Sequence, residues 1–205
     1  MSGEFDRGLL GGSCWLELAS GERIALPVER WRRPPETGDG LLLSRCAGPT
    51  LDVGCGPGRL AAALGARGVA TLGIDSSPVA VRLALRRGAI ALRRDVFARV
   101  PGEGRWRHVL LADGNIGIGG DPVRLLRRVA RLLGPGGSAV VEVEPPGHGL
   151  CRERVRVGGP AEAGGWFGWA WLGMDAIGTS AAEAGLRLRW SGKHERRWFT
   201  ELTAP

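Results

Sequence analysis

The sequence predicts an α/β fold built on a doubly wound, mostly parallel sheet. Three observations predict it. A strand ending at Val53 runs into a glycine-rich turn, Gly54-Cys55-Gly56-Pro57-Gly58. Strand and helix patterns alternate from residue 50 to residue 144. Four successive strands end in an acid: Asp52, Asp75, Asp95 and Asp113. Ligands of open α/β sheets sit outside the carboxyl ends of the strands, and lone buried carboxylates are costly, so four in succession point to a site rather than to core packing.

The elements follow in order. Residues 14–31 read as a β-hairpin: Cys14 to Leu18, a turn over Ala19-Ser20-Gly21-Glu22, then Arg23 to Val28, with Ile24, Leu26 and Val28 on one face. Residues 32–40 are a turn-rich linker, and a short helix spans about 40–46. Strand 50–53 precedes a helix at about 58–66, and strand 69–74 precedes one at about 78–87. Ser77 suits the cap of that second helix, Pro78 its first position and Gly88 its exit. Strands 89–94 and 107–112 come next. The following helix has Asp121 as its cap, Pro122 at its first position and Gly134 at its exit; Val123, Leu126, Val129, Ala130 and Leu133 form its apolar stripe. Strand 138–144 leads to a 30-residue excursion, a helix at about 175–184, and strands 186–191 and 196–203 as a closing antiparallel pair. The whole is a Rossmann-like, seven-stranded sheet with an antiparallel last strand, plus the N-terminal hairpin. Residues 1–40 (hairpin and linker) and 41–205 divide the chain within one domain.

Composition narrows the setting. The chain has 205 residues, 43% of them hydrophobic, which suits one domain with a sizeable core. No apolar run is long enough to span a bilayer and the first residues lack a signal layout, so the expectation is a cytoplasmic protein with no membrane partner. Cys14, Cys46, Cys55 and Cys151 are scattered without a C-x-x-C pair, which predicts reduced thiols and no metal site. The net charge is +7 and Lys193 is the only lysine. Arginine, alanine, glycine and leucine dominate together, as GC-rich coding would produce, and the arginines are dispersed; a polyanionic partner is the less favoured reading.

The glycine spacing narrows the ligand. A dinucleotide fingerprint needs a third glycine at position 59, which is Arg59. No Walker-type phosphate loop occurs. Gly54, Gly56 and Gly58 remove Cβ atoms that would keep a ligand off the backbone. Asp75, at the end of the second strand, is placed to accept hydrogen bonds from two ribose hydroxyls. The ligand is therefore a nucleoside with ribose hydroxyls and no pyrophosphate, which fits S-adenosylmethionine.

Leu51–Gly58 together with Asp75 resembles the first two motifs of class I S-adenosylmethionine-dependent methyltransferases. The resemblance covers residues 50–145, and 175–203 by element order. It implies that Gly54, Cys55, Gly56 and Gly58 carry the methionine and ribose portion of S-adenosylmethionine and that Asp52 helps hold its amino group. It further implies that Asp75 and Ser76 bind the ribose, that Asp95 and the backbone of Val96 meet the adenine, and that Asp113 and Asn115 stand beside the methyl group. The product would be S-adenosylhomocysteine.

The acceptor is less legible. His148, on the Pro-Pro-Gly-His-Gly loop, is the first candidate for a general base; His194 reads as a turn residue and His108 lies at the wrong strand end. Glu142 and Glu144 flank the end of strand 138–144, where one could contact an acceptor. Trp-Phe-Gly-Trp-Ala-Trp, residues 166–171, reads as a packed segment or as an aromatic wall for a flat or cationic acceptor, with Trp31 and the hairpin as a facing lid. The Asn/Asp-Pro-Pro-aromatic motif of amino methyltransferases is missing after Asp113, and no cysteine follows proline or threonine as in cytosine-C5 enzymes. The expectation is methyl transfer to a small molecule, in specialised metabolism. A nucleic-acid methyltransferase, a non-catalytic S-adenosylmethionine-binding partner protein and a nicotinamide dehydrogenase are the rivals, and a homodimer is left open.

Overall fold

The structure is a computed structural model that describes residues 3–160 and 163–204. The chain begins with a one-turn helix, α1 (Asp6–Leu9), then β1 (Trp15–Leu18) and β2 (Arg23–Ala25). Two short helices follow, α2 (Val28–Arg32) and α3 (Asp39–Leu43). The alternating part is β3 (Thr50–Val53), α4 (Arg59–Ala66), β4 (Thr71–Asp75), α5 (Pro78–Arg86), β5 (Ala91–Arg93), β6 (Trp106–Leu111), a 3-10 segment (Asn115–Gly120), α6 (Pro122–Leu132) and β7 (Leu133–Val143). Then come β8 (Leu150–Gly158), β9 (Phe167–Leu172), α7 (Ile177–Glu183), β10 (Arg187–His194) and β11 (Arg197–Thr203).

Seven strands form the main sheet in the order β10-β11-β7-β6-β3-β4-β5. The pairs around β3 and β6 are parallel, and β11 runs antiparallel to both β7 and β10. The predicted sheet and its antiparallel last strand are therefore present. Strand order reverses between β3 and β6, and the crevice that opens there at the carboxyl ends holds the site. Fully buried Leu51, Val109, Leu111, Val141 and Leu126 form the core between the sheet and α6. Every residue of β3 is buried, Thr50 and Asp52 included, and β6 ends in the buried apolar run Val109-Leu110-Leu111.

The helix caps follow the sequence. The Ser77 hydroxyl accepts from the backbone N–H of Val79 at 3.1 Å and of Ala80 at 3.0 Å, with Pro78 at the first position. Asp121 accepts from the N–H of Arg124 at 3.1 Å. Gly134 is not the exit of α6. The chain leaves that helix at Leu133, whose backbone is extended, and Gly134 already belongs to β7.

Two expectations change. The second hairpin strand stops at Ala25, and Val28, expected to end it, opens α2, because Pro27 lacks the N–H that a ladder needs and sets the chain for a helical turn. The excursion after β7 is not loop alone. β8 and β9 pair with each other and with β1, giving a second, antiparallel sheet in the order β2-β1-β8-β9. The hairpin is thus the outer half of a four-stranded sheet above the carboxyl edge of the main one.

Candidate functional site

Between the two sheets lies a cavity of about 590 Å³. Its floor is the glycine turn and the acids that end the main strands. Its roof is α1, the hairpin, α2 and β9, through residues such as Phe5, Leu26, Trp31 and Trp169. The segment 166–171 divides accordingly. Residues 167, 169 and 171 share one face of β9, as a strand's period of two requires, and Trp169 and Trp171 line the cavity.

The expected cofactor residues come together with one exception. Asp52, Gly54, Cys55, Gly56, Asp75, Ser76, Asp95, Val96, Asp113 and Asn115 all line the cavity. Gly58 does not. It has φ +76° at the start of α4, and a Cβ there would come within 2.8 Å of Ala84, so it serves helix packing rather than the cavity. Gly54 has φ +68°, and a Cβ on it would meet the Asn115 amide at 2.7 Å. That amide donates to the carbonyls of Val53 and Gly54, both at 2.9 Å, so Asn115 braces the turn. Gly56 has φ +51° and only Leu9, at 3.9 Å, near its missing Cβ; here the absent side chain leaves open space.

Asp75 is held from two sides. One oxygen accepts from the N–H of Gly56 at 3.0 Å and the other from that of Ser77 at 2.8 Å. Burial pushes its carboxyl up, and those two N–H groups work against the rise. Each oxygen keeps lone pairs for further donors. Asp95 accepts from the N–H of Phe97 at 2.9 Å.

Sequence reasoning missed an ionic cluster at the floor of the cavity. Arg59 follows the glycine turn, is only 3% exposed, and hydrogen-bonds both Asp39 and, at 2.6 Å, Asp113. Arg197 forks onto Glu142 at 2.7 and 2.9 Å and also reaches Asp39 at 2.9 Å. Arg30, from α2, stands 3.0 Å from Asp113 and 3.5 Å from Asp39. Glu142 accepts from the Asp113 N–H at 2.9 Å. Three arginines thus meet three acids, the arrangement that lets buried charges persist. Burial works to raise Glu142, but Arg197 and Arg30 outweigh it and hold its carboxyl low. Burial dominates at Asp113, which is raised. Asp52, 3% exposed, is pushed up to about 7, chiefly by burial and then by the neighbouring Asp113.

The histidines lie elsewhere. His148 is exposed on the loop after β7, bonded to the Pro145 carbonyl at 3.2 Å, and is not among the residues lining the cavity. His108 is buried at the amino end of β6 against Ser138 at 2.9 Å, and His194 ends β10. Glu144 does line the cavity, with its carboxyl raised by burial.

The glycine turn and the four strand-end acids lie within a segment that comparison with known proteins also picks out. The sequence profile of a family described as a methyltransferase domain matches residues 50–137. Residues 50–137 are thus similar to a methyltransferase domain. The match spans β3 to the first part of β7, with every cofactor-binding residue expected from the sequence. Among solved structures, a SAM-dependent methyltransferase from Bacteroides fragilis in complex with S-adenosyl-L-homocysteine is similar over 100% of this chain and 98% of its own, with TM-score 0.81 and 21% identity. The CcbJ methyltransferase from Streptomyces caelestis is similar over 85% of this chain and 92% of its own, with TM-score 0.63 and 18% identity. The 1,6-didemethyltoxoflavin-N1-methyltransferase from Burkholderia thailandensis is similar over 81% and 76%, with TM-score 0.62 and 17% identity. At these identities the likeness shows the fold. Among the described residues, no helix is long and apolar enough to cross a membrane.

Proposed function

We propose that this chain transfers a methyl group from S-adenosylmethionine to a small-molecule acceptor, in specialised metabolism. The observation that carries the proposal is the single cavity that joins the ribose acid Asp75 to the indoles of β9. Its volume of about 590 Å³ lies within the roughly 300–1,000 Å³ of small-molecule sites. The roof over it favours a small acceptor over a polymer.

The residues present fit the cofactor. Arg30 Nη2 and Asp113 Oδ1 stand 3.0 Å apart as a buried ion pair without hydrogen-bond geometry. A zwitterionic methionine end would set its carboxylate against Arg30 and its ammonium against Asp113 and Asp52. The ribose hydroxyls would fall to the remaining lone pairs of Asp75, and Asp95 with Val96 would face the adenine. When bound, S-adenosylmethionine supplies an already activated methyl group on a sulfonium. The chain's part is then to align the acceptor's nucleophile behind that methyl, to exclude water beneath α1 and the hairpin, and to take the acceptor's proton where there is one. One solved neighbour is described as acting on 1,6-didemethyltoxoflavin, a small molecule, which supports carrying that acceptor class to this chain.

The test is calorimetric titration of S-adenosylmethionine and S-adenosylhomocysteine into the wild-type protein, followed by methyl-label transfer to small-molecule pools. Micromolar binding of both is expected. Binding of NAD(H) with neither of these would overturn the reading.

A further inference from the structure

Resting on the reading of this cavity as a methyl-transfer site, we infer that the acceptor is an amine on a flat ring, its nitrogen received by the Glu144 carboxylate and its ring by the Trp171 indole. Two observations converge on this pair.

The first is charge. At the end of the cavity away from Asp75 and Asp95, acids and arginines are matched: Asp113 with Arg59 and Arg30, Glu142 with Arg197. Glu144 makes no ion pair among the described residues, although burial already disfavours its charge. His148 on the adjoining loop works to lower its carboxyl, while Glu142 opposes its ionisation. Arg196 and Arg197 line the adjoining cavity without pairing with Glu144, which leaves its carboxylate open, among the described residues, to a cation from the acceptor.

The second is aromatic. Trp15, Trp166, Trp190 and Trp198 each have an arginine or lysine over the ring, and Trp31 and Trp169 are packed against Phe5. Trp171, like Trp106, has neither kind of partner among the described residues; it packs against the cluster that holds Trp169 and, unlike Trp106, lines the cavity. Glu144 and Trp171 line both the main cavity and an adjoining one of about 190 Å³. A flat cation at this junction would place its charge on Glu144 and its ring on the indole, and the side cavity would admit the rest of the molecule.

The chemistry balances. The acceptor ammonium gives one proton to Glu144, whose carboxyl lies above its ordinary range and so holds it more readily. The freed nitrogen lone pair forms the new N–C bond as the C–S bond breaks, and that bond's electron pair stays on sulfur as the thioether. Glu144 returns its proton to water when the methylated ammonium leaves.

The probes are tryptamine, tryptophol and indole-3-acetate, which share a ring and differ in end group. Each is titrated into the full chain saturated with S-adenosylhomocysteine. Tryptamine is expected to bind at least about tenfold tighter than the other two. Glu144→Gln should abolish that preference while leaving S-adenosylhomocysteine affinity within about threefold, and Trp171→Ala should weaken all three. A preference for the acid or the alcohol, no binding of tryptamine at millimolar concentration, or a preference intact in Glu144→Gln overturns the inference. So does a Glu144→Gln protein that loses affinity for S-adenosylmethionine but not for S-adenosylhomocysteine, since Glu144 would then serve the sulfonium. Failure of the wild type to bind S-adenosylhomocysteine at all is the separate failure of the methyl-transfer reading.

Discussion

Arg59 Nη2 lies 2.6 Å from Asp113 Oδ2, so the residue that closes the glycine turn is tied to the acid that ends β6. The same guanidinium bonds Asp39, which is 0% exposed. Removing it takes the closest guanidinium from both acids and leaves them to Arg30 and Arg197 alone. Arg59→Met is expected to lower stability by about 3–5 kcal/mol in a denaturant titration, the range for breaking a buried pair from one side. A loss under about 1 kcal/mol would show that water reaches the cluster.

Asp75 carries the prediction about the cofactor. Its two oxygens already accept from Gly56 and Ser77, so Asp75→Ala loosens the turn as well as removing the ribose partner. The expected loss of affinity for S-adenosylmethionine is roughly 1–3 kcal/mol by calorimetry. Asp95→Ala, a substitution of an exposed residue whose carboxylate accepts from the nearby Phe97 N–H, should cost less. If the two variants bind alike, the ribose is not on Asp75.

The sequence made the main sheet legible because its signals are local. Strand, turn and cap residues such as Gly54, Ser77 and Asp121 announce themselves within a few positions. The second sheet was hidden because β1 and β8 meet across more than 130 residues, and Val155 and Val157 give only a short alternation between glycine-rich flanks. Arg59 was visible only as the residue that spoiled a dinucleotide fingerprint. Nothing in one sequence distinguishes an arginine that is buried from one that is solvated, and its partner Asp39 sits in a stretch that reads as linker. The strand-end acids, Glu144 among them, were legible because a strand end is a place, whereas Arg30 acts from a roof that only tertiary structure builds.

Two glycines two residues apart should respond differently to the same change. Gly54→Ala forces a Cβ to within 2.7 Å of the amide that braces the turn, at φ +68°. It should cost about 2–4 kcal/mol of stability, from strain and the displaced Asn115 together. Gly56→Ala meets only Leu9, at 3.9 Å, and should cost about 1–2 kcal/mol for its left-handed backbone alone. Its Cβ would intrude on the cavity, so its cofactor affinity should fall more than its stability. Melting curves and calorimetry on both variants check the contrast. Equal melting temperatures would remove the assigned role of Asn115.

Asp52 links cofactor binding to protons. Its folded pKa is raised to about 7 by burial and by Asp113, with Asp75 adding to the rise and Arg59 opposing it. The free folded protein then holds a proton that the unfolded chain has released, from about pH 4 up to about pH 7. More protons are bound in the folded state, so stability must fall as pH rises across that window. An ammonium group placed against Asp52 reverses the preference, because it favours the carboxylate. Binding of S-adenosylhomocysteine at about pH 5.5 is therefore expected to release protons, and at about pH 7.5 to release few. Titrations in two buffers of different ionisation heat measure the release directly. Asp113, Asp75 and Glu144 are raised as well, so Asp52→Asn isolates the contribution: it should remove most of the release while the wild type keeps it. Release unchanged in Asp52→Asn would move the ammonium away from Asp52 and onto Asp113.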